Sequence, residues 1–456
     1  MRFKTIAQTR LVLQQERAAQ TGLILVLLLL GQFLLLGFNA PVTRAAGPTI
    51  SFEKDNGETG SPLVIKGSGY DPDKVISIEV VQPNKPNTYP ADLVYRMGLV
   101  VSDSKGEFTW QSVVPASYQV VDYVNPDSPP QVVPFNGPLA IEAIRYDYFT
   151  DRLGGAQLAY GTPEQKARAT FNITANNNKG PKLFNTAGSL DSTTFFEQLW
   201  NPLDLPVAVQ RATPNRGYTW GPRPFYAAYE PYVEGGQNGY RPVIYFDKSR
   251  MENTIVKDPP LLTNGLLVME LVSGRLQLGD NTFEDRKPSD VYVAGDLGNN
   301  IGPRFSTFKP LLDVNNNKEG DLINQQLTPD GKVQPNSAFD GYGVKAVSYI
   351  KETKHNVASV FFDYLNTQGT IATEGGTPPI YSYGKTDKLF NPTFYATGYP
   401  IAEPYWTEMT VGGQTRQVLV QLFERRVLTF TPSNPEAYRV EMGNVGLQYF
   451  SWRYNR

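Results

Sequence analysis

From Pro48 onward the chain is divided into short runs of alternating apolar and polar residues, separated by Gly, Pro, Asn and Asp. In the run Val75–Val81, apolar side chains recur at every second position. A period of two is typical of a β-strand with one buried face. The 40 Gly and 36 Pro residues supply frequent turns and keep the runs short. The pattern predicts a mainly β fold, of the α+β class where helical periodicity interrupts the strands.

The composition excludes several classes of site. Among 456 residues there is no Cys and a single His, His355. Disulfide frameworks, thiolate zinc sites, cysteine nucleophiles and multi-histidine metal centres are therefore excluded. We expect no metal and no cofactor, and we expect apolar cores rather than covalent cross-links to stabilise the chain.

The N-terminal region has the pattern of an export signal. Residues 22–38 are uncharged and mostly apolar, and they follow four basic residues and one acidic residue. The run is longer than the roughly 7–15 residues of a cleaved signal peptide and shorter than the roughly 20 of a spanning helix. Residues 1–45 are therefore a signal peptide or a signal anchor, and the small residues Ala45 and Ala46 favour cleavage. The positive flank predicts that the remainder lies outside the cytoplasm, secreted or at the cell surface.

Charge limits the partners that we expect. The chain has a net charge of −2, and removal of residues 1–45 leaves −6. The remaining chain has no Lys- and Arg-rich cluster of the kind that neutralises phosphates, so no nucleic-acid partner is expected. Membrane contact is expected only through residues 22–38, if they are retained.

Residues 46–175 are predicted to form one β-rich domain. Eight strands in about 125 residues fit a sandwich of two sheets. The candidate strands are Thr49–Phe52, Leu63–Lys66, Val75–Val81, Tyr95–Val101, Glu107–Val113, Leu139–Tyr148, Gln157–Tyr160 and Arg168–Ile173. Their order and turn placement resemble the immunoglobulin-like modules of bacterial surface proteins, which implies an immunoglobulin-like β-sandwich. The breaker-rich stretch 175–181 is the predicted linker to the next domain.

The rest of the chain contains an internal duplication. Five landmarks recur in the same order, namely FF(E/D), FYA, EPY, GG and an apolar run ending in F(D/E)(K/R). They start at Phe195, Phe225, Glu230, Gly235 and Phe246 in one copy, and at Phe361, Phe394, Glu403, Gly412 and Phe423 in the other. We predict α+β repeats at 183–296 and 341–456, each a helix–β-hairpin–helix unit. The polar segment 297–340 between them is too long for an ordinary connection.

The helices of this unit are predicted from amphipathic patterns. The first helix of each copy is expected at Thr193–Trp200 and Val357–Asn366, with Ser192 and Asn356 as caps. The closing helices are expected near Asn264–Leu271 and Gly443–Phe450.

The second copy carries a family resemblance. It is similar to the C-terminal part of uncharacterised exported bacterial proteins. It is also distantly similar to the LGFP repeat, a cell-envelope module with a Gly-x-Pro element and a Glu before a hairpin. The matching positions are Gly398, Pro400, Glu403 and Phe423, whereas the first copy has no Gly-x-Pro element. The resemblance implies association with the cell envelope and supplies no catalytic residue.

Few residues offer catalytic chemistry. We expect His355 to be a solvated or capping residue at a helix start rather than the base of a triad. Paired carboxylates are the remaining possibility, because glycoside hydrolysis requires only two acids. Glu230 with Glu403, and Asp247 with Glu424, hold matching places in the landmarks. Ion pairs or backbone contacts are the favoured roles for them, and we assign no catalytic residue.

Aromatic residues crowd two corresponding segments, and these supply the candidate binding residues. Tyr and Trp faces stack on sugar rings, and polar neighbours bind the ring hydroxyls. The candidate ligand-binding residues are Tyr218, Trp220, Tyr229, Tyr232, Tyr399, Glu403, Tyr405 and Trp406. The alternative is that these rings pack between helix and hairpin, and burial distinguishes the two interpretations.

The combined expectation is a non-enzymatic extracytoplasmic surface protein that binds cell-wall or extracellular polysaccharide. A structural scaffold that binds other envelope proteins is the nearest alternative. A carboxylate-based glycoside hydrolase is the alternative from the enzyme class.

Overall fold

Strands are the main elements of the structure, which confirms the predicted mainly β class. The computed structural model describes residues 47–83, 92–120, 131–146, 163–183, 193–234, 236, 238–255, 261–296, 298–314, 317–375, 380–386 and 388–454. The predicted export segment, the strand Gln157–Tyr160, the possible cap Ser192 and the turn residue Gly235 lie outside these residues. None of the helices within the described ranges is long and apolar enough to cross a membrane.

The first group of strands lies in the region predicted to be a sandwich. These strands are β1 (Thr49–Phe52), β2 (Asn56–Glu58), β3 (Pro62–Ser68), β4 (Val75–Pro83), β5 (Asp92–Val101), β6 (Phe108–Val113), β7 (Ser117–Val120), β8 (Gln131–Pro134), β9 (Gly137–Tyr146), β10 (Pro163–Ala175) and β11 (Lys182–Leu183).

The elements up to the predicted inter-repeat segment follow. They are α1 (Thr193–Ala208), β12 (Pro224–Pro231), β13 (Tyr240–Phe246), β14 (Ser249–Ile255), β15 (Leu261–Asn264), α2 (Leu267–Ser273), β16 (Arg275–Gln277) and β17 (Phe283–Asp285).

The remaining elements extend to the C-terminal region. They are β18 (Gln325–Leu327), β19 (Val333–Pro335), β20 (Ala346–Ile350), β21 (His355–Ala358), α3 (Ser359–Leu365), β22 (Gly369–Gly375), β23 (Ile380–Thr386), β24 (Tyr405–Val411), β25 (Gln414–Leu422), β26 (Val427–Phe430), β27 (Val440–Met442) and α4 (Val445–Tyr454). Short 3₁₀ helices occur at Phe305–Leu311, Ser337–Tyr342 and Glu436–Tyr438.

One nine-stranded sheet joins strands from both sides of the predicted linker. Its order is β15-β14-β13-β12-β5-β4-β9-β10-β2. The junction is the antiparallel pairing of β12 with β5, in which Tyr226 lies opposite Val100. The indole N–H of Trp110 on β6 donates to the carbonyl of Ala227 across this junction (2.9 Å). Residues Pro48–Arg456 accordingly form a single compact unit.

A six-stranded sheet, of order β19-β18-β24-β25-β26-β27, contains the corresponding strands of the second predicted repeat. In both sheets four consecutive strands form an antiparallel meander, and a helix follows directly: α2 after β12–β15 and α4 after β24–β27. The turn between β24 and β25 is formed by Gly412 and Gly413, with φ of 62° and 74°. Such positive φ angles at both positions suit a two-residue hairpin turn, as the Gly-Gly pair predicts.

The two helices are exchanged between the meanders. The backbone N–H of Met269 in α2 donates to the carbonyl of Glu424, in the turn after β25 (3.2 Å). The backbone N–H of Leu447 in α4 donates to the carbonyl of Asp247, in the turn after β13 (3.1 Å). Each helix therefore binds the turn of the other meander, and one apolar cluster extends through both.

Candidate functional site

A cleft of about 520 Å³ lies beside the first strand of the second meander. One wall is formed by Glu403, Pro404 and Tyr405, and the other by residues 321–325. The remaining lining residues are Val314, Lys318, Val333 and Ala346. We call it the Glu403 cleft. It brings the carboxylates of Asp321 and Glu403, an ammonium group and two side-chain amides together with aliphatic side chains.

Backbone pairing holds the two walls together. Strand β18 pairs in parallel with β24, with Gln326 opposite Trp406. The indole N–H of Trp406 donates to the carbonyl of Ile323 (2.8 Å). Ile323 also donates its backbone N–H to the carbonyl of Val344 (2.9 Å). The wall at 321–325 is thus fixed from both sides, which makes the cleft a preformed feature.

The Glu403 carboxylate is held at the base of the cleft by Asn356. The backbone N–H of Asn356 donates to Oε1 (3.1 Å) and its side-chain amide donates to Oε2 (2.9 Å). The Glu403 side chain is 12 % exposed. Asn356 was predicted to cap a helix, but α3 begins at Ser359 with Ala358 as its N-cap, and Asn356 lies on β21 instead.

His355 is a buried residue on β21, and the prediction of a solvated or capping histidine is wrong. Its Nδ1 lies 3.4 Å from Glu403 Oε1, and its Nε2 lies 3.2 Å from the carbonyl oxygen of Leu312. Because both ring nitrogens face acceptors, the ring links the segment at Leu312 to the carboxylate of the cleft. This contact positions Glu403 and leaves the imidazole out of reach of a ligand.

Next to Glu403, the hydroxyl of Tyr405 keeps its proton. Burial, and then the negative charge of Glu403, raise the pKa of Tyr405 well above its ordinary value. Tyr405 therefore contributes a hydrogen-bond donor and an apolar ring to the cleft, and no negative charge.

Five of the predicted binding rings lie in the core and form no exposed platform. The buried rings are those of Trp220, Tyr229, Tyr232, Tyr405 and Trp406, each at most 3 % exposed. The Trp220 indole donates to the carbonyl of Leu199 (2.8 Å). In a sugar-binding platform the ring faces are open to solvent, so burial corrects the sequence-based assignment of these five rings as stacking surfaces.

Trp406 makes this correction clearest. The ring of Phe339 stacks on it at 4.8 Å and 6°, and the ring of Tyr342 at 4.8 Å and 24°. Tyr342 is itself 45 % exposed. The exposed aromatic surface near the Glu403 cleft therefore belongs to Tyr342 and not to Trp406.

The remaining three predicted binding residues are more accessible. Tyr218 and Glu403 are half-buried and Tyr399 is exposed. Glu403 and Tyr405 line the cleft, whereas Tyr399 donates its backbone N–H to Glu424 Oε2 (3.0 Å), outside the lining residues. The structure thus brings two of the eight predicted residues together in one cleft.

Glu230, the predicted counterpart of Glu403, lies in a different environment. Its carboxylate is buried, with Oε2 at 3.1 Å from Arg453 Nη2 and 3.4 Å from Arg250 Nη1. Burial raises the pKa of Glu230, but the neighbouring cations, above all Arg453 and Arg250, outweigh it and lower the pKa to about 2. A buried carboxylate that stays ionised cannot donate a proton as a general acid. Glu230 is therefore suited to an ion pair and unsuited to be the general acid of a glycoside hydrolase.

Most of the cleft residues were missed by the sequence analysis. The missed residues Lys318, Leu322, Asn324 and Gln325 belong to the segment 297–340, which is predicted to be a polar connection without a site. No motif marks these positions, because amide and aliphatic side chains are common in any surface loop.

Comparisons with known proteins do not assign the chain to a family. No protein-family model and no curated protein matches it. Among solved structures, macromomycin is 18 % identical over 28 % of this chain and 99 % of its own, with a TM-score of 0.19. The sporulation control protein Spo0M from Bacillus subtilis is 7 % identical over 48 % of this chain and 89 % of its own, with a TM-score of 0.14. A DUF4784 family protein from Bacteroides caccae is 9 % identical over 88 % of this chain and 84 % of its own, with a TM-score of 0.12. These scores are too low to support an argument about fold or function.

Proposed function

We propose that this chain is a non-enzymatic extracytoplasmic protein that binds cell-wall or extracellular glycan in the Glu403 cleft. The observation that carries the proposal is the mixture of groups in one preformed cleft. Side-chain amides, here of Asn324 and Gln325, both donate and accept hydrogen bonds. The carboxylates of Asp321 and Glu403 accept them, and Lys318 donates them. A polyhydroxylated chain needs this mixture, because each hydroxyl is at once a donor and an acceptor.

The apolar part of the lining suits the same ligand. Leu322 and Val333 line the cleft and are exposed, at 42 % and 39 %. A sugar ring presents C–H groups on its faces, and aliphatic side chains bury such faces from water. A cleft of about 520 Å³ is within the usual range for a bound small molecule.

The extracytoplasmic location is proposed from the sequence. The apolar run at 22–38 follows a basic segment, which is the order of an export signal. The distant LGFP resemblance supports an envelope location as well. Its matching residues are neighbours in space, since Pro400 pairs with Phe423 and Gly398 lies against the Glu424 side chain.

We further propose the finer architecture of an immunoglobulin-like sandwich followed by a duplicated unit. The exchange of α2 and α4 supports the duplication. So does a constant spacing of 177 residues, which separates Gly221 from Gly398 and Asp247 from Glu424. Within each copy the glycine lies against the acid. A Cβ added to Gly221 would lie 2.1 Å from Asp247 Oδ1, and a Cβ added to Gly398 would lie 2.4 Å from Glu424 Oε2.

The test of glycan binding is co-sedimentation of the purified full-length chain with insoluble cell wall. The double variant Lys318→Ala, Gln325→Ala removes two lining side chains without touching the Asn356–Glu403 contact. The matched control is Lys332→Ala, Gln334→Ala, which removes the same residue types from exposed positions just outside the cleft. We expect the first variant to pellet at least several-fold less than wild type and the control to pellet like wild type. No pelleting of folded wild type would contradict the proposal.

A protein-binding scaffold is the second candidate, and one observation favours it. The aromatic segments that suggested sugar platforms form core contacts, as the burial of Trp220 and Trp406 indicates. A scaffold needs such cores and no ligand cleft. If folded wild type fails to pellet with cell wall but binds other envelope proteins, this second function is the better account.

A further inference from the structure

A second cleft, of about 510 Å³, lies apart from the Glu403 cleft and shares no lining residue with it. It opens between the three-stranded sheet β1-β3-β6 and the side of the nine-stranded sheet where β5 meets β12. Helix α4 contributes Phe450. We call it the Phe225 cleft. None of its residues is among the eight predicted binding residues.

One wall of the Phe225 cleft is a polar sheet face. Thr49 on β1 lies opposite Ser68 on β3, and their hydroxyl oxygens are 3.0 Å apart. Ser51 lies opposite Lys66. Lys66 in turn lies opposite Thr109 on β6. Directly opposed residues of neighbouring strands share a face, so these five side chains form two cross-strand rows of hydroxyls with one ammonium group among them.

The opposite wall is aromatic. The rings of Phe225 and Phe450 meet edge to face at 5.3 Å and 86°, and the ring of Tyr226 lies 4.7 Å from Phe450. Phe225 and Phe450 are only partly buried, so apolar ring surface remains open in the cleft. Tyr226 is fixed through its hydroxyl, which donates to the carbonyl of Gln111. The wall is thus a packed group of rings rather than a single mobile side chain.

The acidic side chains at this cleft are partly committed to their own loop. Asp103 accepts the backbone N–H groups of Lys105 and Glu107 at 2.8 Å each, and these hydrogen bonds lower the pKa of Asp103. Asp103 therefore closes a turn. Glu107, the second acidic residue of the lining, is exposed and adds a carboxylate to the cleft beside the hydroxyl rows and Lys66.

We propose that the Phe225 cleft is a second ligand site and that it binds a single saccharide ring. An apolar wall facing a hydroxyl-rich wall matches a ring with a C–H face on one side and hydroxyls at its edge. Lys66 donates to a ring hydroxyl or to a ring carboxylate. The inference does not depend on the Glu403 cleft, because no residue is shared. If both sites bind glycan, one chain holds the polymer at two points and gains avidity without a new contact.

The test is saturation-transfer NMR on the full-length chain, with N-acetylglucosamine and glucuronic acid as the two probes. The variant Ser51→Phe places a bulky side chain on the hydroxyl wall, and the double variant Lys66→Ala, Ser68→Ala removes two donors from it. The control Lys54→Ala makes the same charge change at an exposed residue outside the cleft. Circular dichroism confirms that each variant is folded.

We expect saturable transfer to at least one probe in wild type and in Lys54→Ala. In the double variant the dissociation constant should rise about three- to tenfold, as expected for the loss of one or two hydrogen bonds. In Ser51→Phe the part of the signal that comes from this cleft should disappear. Stronger binding of glucuronic acid than of N-acetylglucosamine, lost in the double variant Lys66→Ala, Ser68→Ala, would place a carboxylate beside Lys66.

Two results would overturn the inference. One is the absence of saturable transfer for both probes in folded wild type. The other is a signal in Ser51→Phe equal to that of wild type. The Glu403 cleft is tested separately by its own variant, Lys318→Ala, Gln325→Ala. Loss of transfer in that variant alone would leave the proposed function in place and remove the second site.

Discussion

Gly446 lies so close to Phe246 that a Cβ on Gly446 would come within 1.9 Å of the Phe246 carbonyl oxygen. The same Cβ would lie 2.7 Å from the backbone nitrogen of Ser249. Both neighbours are backbone atoms of the β13–β14 turn, so neither can move aside as a flexible side chain would. The exchange of α4 onto the first meander therefore depends on a residue without a side chain in the first turn of that helix.

We expect Gly446→Ala to destabilise the protein, although Ala is normally favoured over Gly in a helix by about 1 kcal/mol. The clash with the turn should reverse that sign and cost about 3 kcal/mol. Gly443→Ala is the matched control, because its added Cβ meets nothing closer than 3.6 Å. Urea denaturation of both variants measures the difference. Equal stabilities would mean that α4 does not pack on the turn as described.

A second prediction concerns the buried charges that join the first meander to α4. The Arg250 guanidinium is fully buried and lies 3.4 Å from Glu230, 3.7 Å from Glu270 and within hydrogen-bonding distance of Glu252. It also donates to the hydroxyl of Tyr449 in α4 (2.8 Å). Removal of this one cation leaves three buried carboxylates short of a partner.

Arg250→Met should therefore reduce the free energy of unfolding by about 3–5 kcal/mol, the range for breaking a buried ion pair. Arg275→Met is the control. Arg275 pairs with Asp285 at 3.7 Å, and both side chains are more than half exposed, so the loss should be below about 1 kcal/mol. Thermal or urea denaturation compares the two. Similar losses in both variants would contradict a special role for the buried cluster.

The strands were the part of the fold that the sequence predicted best. The predicted strand Thr49–Phe52 has the observed bounds, and Val75–Val81 is extended by two residues to Pro83. Alternation reports directly on which side chains a sheet buries. The joining of β12 to β5 was not predictable, since strand neighbours far apart in sequence leave no local signal.

The candidate site was predicted only in part, and the Glu-Pro-Tyr landmark explains why. In the first copy Glu230 and Pro231 end β12, and Tyr232 follows the strand. In the second copy Glu403 and Pro404 precede β24, which begins at Tyr405. The same three letters therefore fall at opposite ends of the corresponding strands. Glu230 consequently enters an ion-pair cluster and Glu403 lines a cleft. Burial of the Tyr and Trp rings was equally hidden, because such rings serve cores and binding surfaces alike.

The pH dependence of stability should show the raised pKa of the buried Asp204. Its carboxylate accepts backbone N–H groups from Thr219, Trp220 and Gly221, at 2.7–3.1 Å. Burial nevertheless raises the pKa of Asp204 from 3.8 to about 6. The folded state thus holds this proton more tightly than the unfolded state. The contribution of Asp204 is full below pH 3.8 and is lost as the pH rises to about 6.

Over that interval the free energy of unfolding of wild type should fall by about 3 kcal/mol relative to that of Asp204→Asn, whose side chain does not titrate. Urea denaturation at pH 4, 5, 6 and 7 measures the difference between the two proteins at each pH. Glu230 and the other titrating groups contribute equally to both proteins, so their contributions cancel when the two stabilities are subtracted at each pH. Parallel stability curves for the two proteins would show that Asp204 has no raised pKa.

The last prediction tests whether glycan is bound by the Glu403 cleft or by the aromatic rings that the structure buries. Trp406→Phe keeps an aromatic ring against Phe339 and Tyr342 but removes the indole N–H that donates to Ile323. Loss of that buried hydrogen bond should cost about 1–3 kcal/mol. In this variant Ile323 keeps its backbone hydrogen bond to Val344, and β18 keeps its pairing with β24, so the cleft wall should stay in place. Because Trp406 itself has no face open to solvent, the folded variant should co-sediment with cell wall as wild type does. The Lys318→Ala, Gln325→Ala variant should behave in the opposite way, with little loss of stability and reduced pelleting. If folded Trp406→Phe loses wall binding while the cleft variant retains it, the ring itself contacts glycan and the Glu403 cleft is not the site.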